Sequence, residues 1–162
     1  MDVFRAAKLA CLVFCGTLLP AQQTARTTLA VQVNEEARLT PDRVTLRFTV
    51  AANGGPGYTA QTVPVSAWVR ALPGRRIQLT ATLAGGSLPA GALRWNGAAT
   101  RATGGAQAAI CTSGIFTAGE PAALTDNWNR SGILTCAVTF SVDPALAPGE
   151  YTADVSLALQ AQ

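Results

Sequence analysis

The chain contains no histidine. A Ser-His or Cys-His hydrolase therefore lacks its general base, and most zinc and copper sites lose their usual imidazole ligand. Lysine and methionine are almost missing: the single lysine, Lys8, and the single methionine, Met1, both fall at the start of the 162-residue chain. Charged residues make up only 13% of the chain, and the formal net charge is +3. So weak and scattered an excess does not suggest a nucleic-acid partner, which requires a clustered basic surface. Neither GxxxxGK[ST] nor GxGxxG occurs, so loops that cradle phosphates have no support. Beyond the first twenty or so residues no apolar run is long enough for a transmembrane helix.

The start of the chain reads as a leader. Arg5 and Lys8 precede an apolar stretch, 9–19, that is too short to span a bilayer, and Leu19-Pro20-Ala21 offers a cleavage site. This is the pattern of a secretory signal peptide over 1–21, and it places the protein in the periplasm or at the extracellular surface. The remaining residues, 22–162, suit a single domain with a real core. They carry ten arginines against eight acids and two cysteines, Cys111 and Cys136. An even pair in an exported chain is expected to form a structural disulfide, worth about 3 kcal/mol in the chain-entropy model. No CxxC spacing suggests a redox role.

What is present is period-two alternation, the mark of strands with one buried face. Leu134, Cys136, Val138, Phe140 and Val142 alternate with Thr135, Ala137, Thr139 and Ser141. After a turn-rich break at 143–149, Tyr151, Ala153, Val155, Leu157 and Leu159 alternate with Thr152, Asp154, Ser156 and Ala158. These two runs read as a final hairpin. Upstream, strands are expected at 28–33, 44–50, 63–70 and 77–83, with 34–42 as a connection and the last two runs paired as a hairpin. A short strand over 93–95 is expected to end at the tight-turn pair Asn96-Gly97. Residues 108–111 and 115–116 read as further short strands, and 120–129 as a loop with at most one helical turn. The count is seven to nine strands, spaced as in an Ig-like Greek-key β-sandwich.

Candidate chemistry is thin. Glu35, Glu36 and Asp42 fall in one stretch and Glu120 and Asp126 in another. A glycosidase needs two carboxyls at a fixed separation, and nothing in the spacing singles out such a pair. No metal-ligand spacing occurs, so no metal, no cofactor and no enzymatic activity are expected. The aromatics are better candidates. Alternation puts Trp68 on the polar face of its strand beside Arg70, and Trp128 lies between Asn127 and Asn129. Flat rings beside amides and guanidinium groups can hold sugars or peptides. Trp68, Arg70 and Trp128 are thus candidate ligand contacts, and Trp95 is read as core.

The ending Leu146-Ala147-Pro148-Gly149-Glu150-Tyr151-Thr152-Ala153-Asp154-Val155, with Leu157 and Leu159, resembles the last strand of bacterial pilin-type Ig-like domains. Spore coat protein U-like and chaperone–usher fimbrial subunits have such domains. The resemblance implies a secreted, non-catalytic structural or assembly subunit whose partners are like subunits or a periplasmic chaperone. Such subunits donate a strand to a neighbour. Here the candidate donor is 24–33, with Leu29, Val31 and Val33 as its pocket residues. Two alternatives stand beside it: this strand completes its own sandwich, or the chain is a carbohydrate- or peptide-binding module.

Overall fold

The structure, a computed structural model, describes residues 35–52, 57–71, 74–89, 91–129 and 131–162. The leader 1–21 and the expected strand at 28–33, with Leu29, Val31 and Val33, lie outside the described residues. Ten strands occur among the described residues: β1 (Glu36–Thr40), β2 (Arg43–Val50), β3 (Ala60–Arg70), β4 (Arg76–Gly86), β5 (Leu93–Ala102), β6 (Ser113–Ile115), β7 (Ala122–Ala123), β8 (Trp128–Asn129), β9 (Gly132–Val142) and β10 (Gly149–Ala161). Three of them, β1, β7 and β8, fall in stretches expected to be connection or loop, and the strand expected at 108–111 is absent. A short 3-10 helix, Gly104–Ala108, lies between β5 and β6. No helix among the described residues is long and apolar enough to cross a membrane.

The strands form two sheets that face each other like the layers of a sandwich. One sheet has the order β1-β3-β9-β5-β6. The other has the order β2-β10-β4-β7, and β8 also pairs with β4. Every neighbouring pair is antiparallel. Burial follows the alternation in the sequence. Leu134, Cys136, Val138, Phe140 and Val142 of β9 are buried, as are Ala153, Val155 and Leu157 of β10, Leu46, Phe48 and Val50 of β2, and Val65, Ala67 and Val69 of β3. These side chains form one core cluster drawn from both sheets. Phe116 anchors it, with its ring 4.9 Å edge-on from Trp95 and 6.2 Å from the stacked Phe140.

The two expected hairpins are absent. β9 and β10 lie in different sheets, and so do β3 and β4. Alternation fixes which face of a strand is buried, but two strands can share that face side by side or present it to each other from opposite layers. Here each pair crosses the core. At 143–148 the crossing is tied locally: Ala145 N–H donates to Asp143 Oδ1 at 2.9 Å, and Leu146 N–H donates to the Asp143 carbonyl at 3.1 Å.

Other expectations also change. Residues 36–40, read as connection, form edge strand β1 on β3, with Arg38 opposite Trp68. An edge strand held by backbone pairing needs no apolar face, so alternation does not reveal it. Asn96-Gly97 is not a turn; it runs through β5, opposite Thr139 and Val138. The glycine serves a close approach instead: a Cβ there would lie 2.9 Å from the Cys111 Cβ and 2.9 Å from the Thr112 carbonyl oxygen. The helical turn occurs at Gly104–Ala108 rather than in 120–129, which holds β7 and β8. Cys111 makes only an isolated bridge, to Thr125, in place of a strand over 108–111.

The disulfide forms as expected, Cys111 to Cys136, with the Cα atoms 6.1 Å apart and 25 residues of separation. It fastens to β9 the segment that joins the two sheet edges. In that segment Thr112 N–H donates to the Leu124 carbonyl (2.8 Å), Asp126 N–H to the Ile110 carbonyl (3.0 Å), and Leu124 N–H to the Leu79 carbonyl of β4 (2.9 Å). Thr125 is fully buried there, and its hydroxyl accepts from Leu79 N–H at 3.0 Å.

Candidate functional site

The sequence candidates divide between two places. Trp68 stands on the outer face of the β1-β3-β9-β5-β6 sheet and is half-buried. The register of β1 brings Arg38 directly opposite it, and Arg70 follows two residues along the same face. The guanidinium carbons lie 5.8 Å (Arg38) and 6.0 Å (Arg70) from the indole centroid, within reach of a cation–π attraction. Arg38 also bonds Glu36 through Nη2 at 3.0 Å, an exposed pair of little energetic weight. Beyond Trp68 the face bears hydroxyl groups. Ser66 and Thr135 pair their hydroxyls at 3.1 Å, and Thr62 and Thr139 at 2.8 Å.

Trp128 is elsewhere. Strand β8 sets it opposite Ile77 on the other sheet, and its side chain is only 3% exposed. It cannot serve as an open stacking platform, because its ring belongs to the core cluster. Its indole nitrogen, however, is buried with no hydrogen-bond partner among the described residues. A buried donor left unpaired is uncommon and costly. Trp128 also lines a surface cavity of about 280 Å³, together with Arg76, Asn127, Asn129, Gly105 and Ala108.

Three separate parts of the chain make this cavity. Antiparallel pairing of β8 on β4 places Asn129 opposite Arg76. The 3-10 helix adds Gly105 and Ala108 to the lining. That helix is held against the start of β9, where Gly105 N–H donates to the Ser131 carbonyl at 2.9 Å and Ile133 N–H donates to Thr103 Oγ1 at 3.1 Å. Gly132 permits the approach: a Cβ there would come within 2.2 Å of the Thr103 carbonyl oxygen.

Comparison with protein families, with curated proteins and with solved structures gives no match. The site must therefore be read from its own chemistry.

Trp68 and Arg70 are thus brought together, and Trp128 is not brought to them. Arg38 and Arg76 were missed as contacts. Arg38 lay in a stretch read as connection, and Arg76 reaches the cavity only through the pairing of β4 with the distant β8. The Asn127-Trp128-Asn129 triplet was the one visible signal for the cavity. Among the described residues no three acidic or cysteine side chains gather closely enough to hold a metal ion.

Proposed function

We propose that the protein is a secreted, non-catalytic structural or assembly module of the bacterial cell surface or periplasm. In this reading it is an Ig-like Greek-key sandwich that joins like subunits, or a periplasmic chaperone, by strand pairing. The observation that carries the reading is the edge at β2. On one side β2 pairs with β10 along Arg43–Val50; on the other, among the described residues, only Thr49 is engaged, its N–H donating to the Tyr58 carbonyl at 2.9 Å. By the alternation of an antiparallel ladder, the backbone groups of Arg43, Thr45 and Arg47 face the same way as those of Thr49, and no other described strand pairs with them. An edge of this kind is a template for another chain. The core beneath is closed, with Leu46 at 0% and Phe48 at 1% exposure. Strand addition would therefore work by main-chain pairing along the edge, not by filling an empty groove.

Two further features support the reading. Tyr151 Oη donates to the Ala147 carbonyl at 2.8 Å where the chain crosses between sheets, resembling the tyrosine corner of Ig-type sandwiches. The disulfide suits an oxidising, extracytoplasmic setting. The proposed donor is the segment bearing Leu29, Val31 and Val33 from a neighbouring copy.

Light scattering on the chain from residue 22 onward tests this with two variants. Val31→Pro breaks the donor, and Thr45→Pro removes an edge N–H from the acceptor. The wild-type chain should assemble, each variant alone should assemble less, and a mixture of the two should give a heterodimer. A wild-type chain that stays monomeric from micromolar to millimolar concentration, without a partner, refutes self-assembly.

A second reading, a carbohydrate- or peptide-binding module, is favoured by the half-buried Trp68 between Arg38 and Arg70 on the outer sheet face. It requires that a glycan or peptide panel perturb tryptophan fluorescence in the wild type and not in Trp68→Ala.

A further inference from the structure

The cavity beside Trp128 is separate from both the β2 edge and the Trp68 face, and its chemistry is specific. Its polar groups are unequally committed. Among the described residues Arg76 forms no ion pair, whereas its neighbour Arg75 is engaged by Glu35 at 3.5 Å. Asn127 and Asn129 make no side-chain hydrogen bonds among the described residues, so their amides keep both donor and acceptor capacity. The nearest acid in sequence, Asp126, is occupied: its Oδ1 accepts from Ile110 N–H at 2.7 Å. The remaining wall is Gly105 and Ala108, too small to fill the space. The Trp128 ring lines the cavity while its indole nitrogen stays buried, which makes its N–H a close reporter of occupancy and not a contact.

A free guanidinium favours a carboxylate, which it can grip through two parallel N–H bonds. Two side-chain amides, each able to give and to accept, match neighbouring hydroxyl groups. The volume, about 280 Å³, admits one sugar-sized molecule and not a polymer. We propose that this cavity binds a small hydroxylated carboxylate of the uronic-acid type, with the carboxylate held by Arg76 and the hydroxyls by Asn127 and Asn129, over the Trp128 ring that lines it.

The probe is D-galacturonate, titrated into the 15N-labelled full-length protein. The Trp128 indole resonance is assigned as the one absent from Trp128→Phe. Galacturonate should shift that resonance saturably, and galactose, which lacks the carboxylate, should bind at least tenfold more weakly. Arg76→Gln should also weaken galacturonate binding at least tenfold while leaving the remaining amide spectrum in place. The proposal is overturned if the resonance does not move, if galactose binds as well as galacturonate, or if Arg76→Gln binds unchanged. The two sugars are compared on the wild type, so that arm decides the matter even if a variant does not fold. Strand exchange at β2 touches none of these residues, so the assembly reading stands or falls separately.

Discussion

A glycine in this protein matters for two distinct reasons, and one pair of residues separates them. Gly86 has φ +121°, and a Cβ there would lie 2.2 Å from the Thr152 carbonyl oxygen and 2.8 Å from the Ala153 Cα. Both are backbone atoms of β10, which cannot yield. Gly74 has φ +87° but nothing within 4 Å of a Cβ. Gly74→Ala should therefore cost only the conformational penalty, about 1 kcal/mol. Gly86→Ala adds a backbone collision and should cost about 3 kcal/mol. Urea unfolding of both variants checks the order, and equal losses would mean that close approach is not what Gly86 serves. Asp143 behaves differently. The N–H of Ala145 and then the charge of Arg94 hold its carboxyl below the ordinary value of 3.8. A depressed native pKa stabilises above the unfolded pKa, and that contribution is lost as pH falls through the native value. Asp143→Asn should accordingly melt below wild type at about pH 7, with the gap closing by about pH 2. At this scale the sequence was readable where alternation alone decides, as for Trp68 on its polar face. Arg38 over the same ring was not readable, because its place depends on the register of β1 against β3.

Among the elements, position in the sheet governs stability more than composition does. β9 lies between β3 and β5, and β10 lies between β2 and β4. Each has paired backbone on both sides and a buried face below. β1 is an edge strand of five residues, four of them exposed and one, Leu39, half-buried. Local opening is easiest where few buried contacts hold a backbone hydrogen bond. Hydrogen exchange should therefore be slowest in β9 and β10 and distinctly faster in β1. Protection in β1 equal to that in β9 would show that the edge is covered in solution, and the β2 reading would need the same question asked of it. The strands β2, β3, β4, β9 and β10 were all legible as strands, because each presents an apolar residue at every second position. β7 and β8 were not legible. Two residues carry no period, and these segments are strands only because the edge of β4 is there to receive them.

For the molecule as a whole, the disulfide closes the excursion in which the chain leaves β6, visits the opposite sheet at β7 and β8, and returns to β9. Opening that loop should release about 3 kcal/mol of denatured-state entropy. The double variant Cys111→Ala/Cys136→Ala should melt roughly 10 °C lower than wild type. A shift within a degree or two would mean that the hydrogen bonds of 110–112 with 124–126 already hold the excursion. By itself the sequence determined the all-β class and the buried face of β2, β3, β4, β9 and β10, since a burial pattern of period two is local, and it pointed to Cys111 and Cys136 as the bonded pair of the chain's four cysteines. Only the tertiary structure decided which strands are neighbours: a period of two is the same for strands joined in a hairpin and for strands that face each other across a core. It also decided the cavity at Trp128. Arg76, Asn129 and the 3-10 helix at Gly104–Ala108 come together there through pairings between distant segments, and no local pattern encodes such pairings.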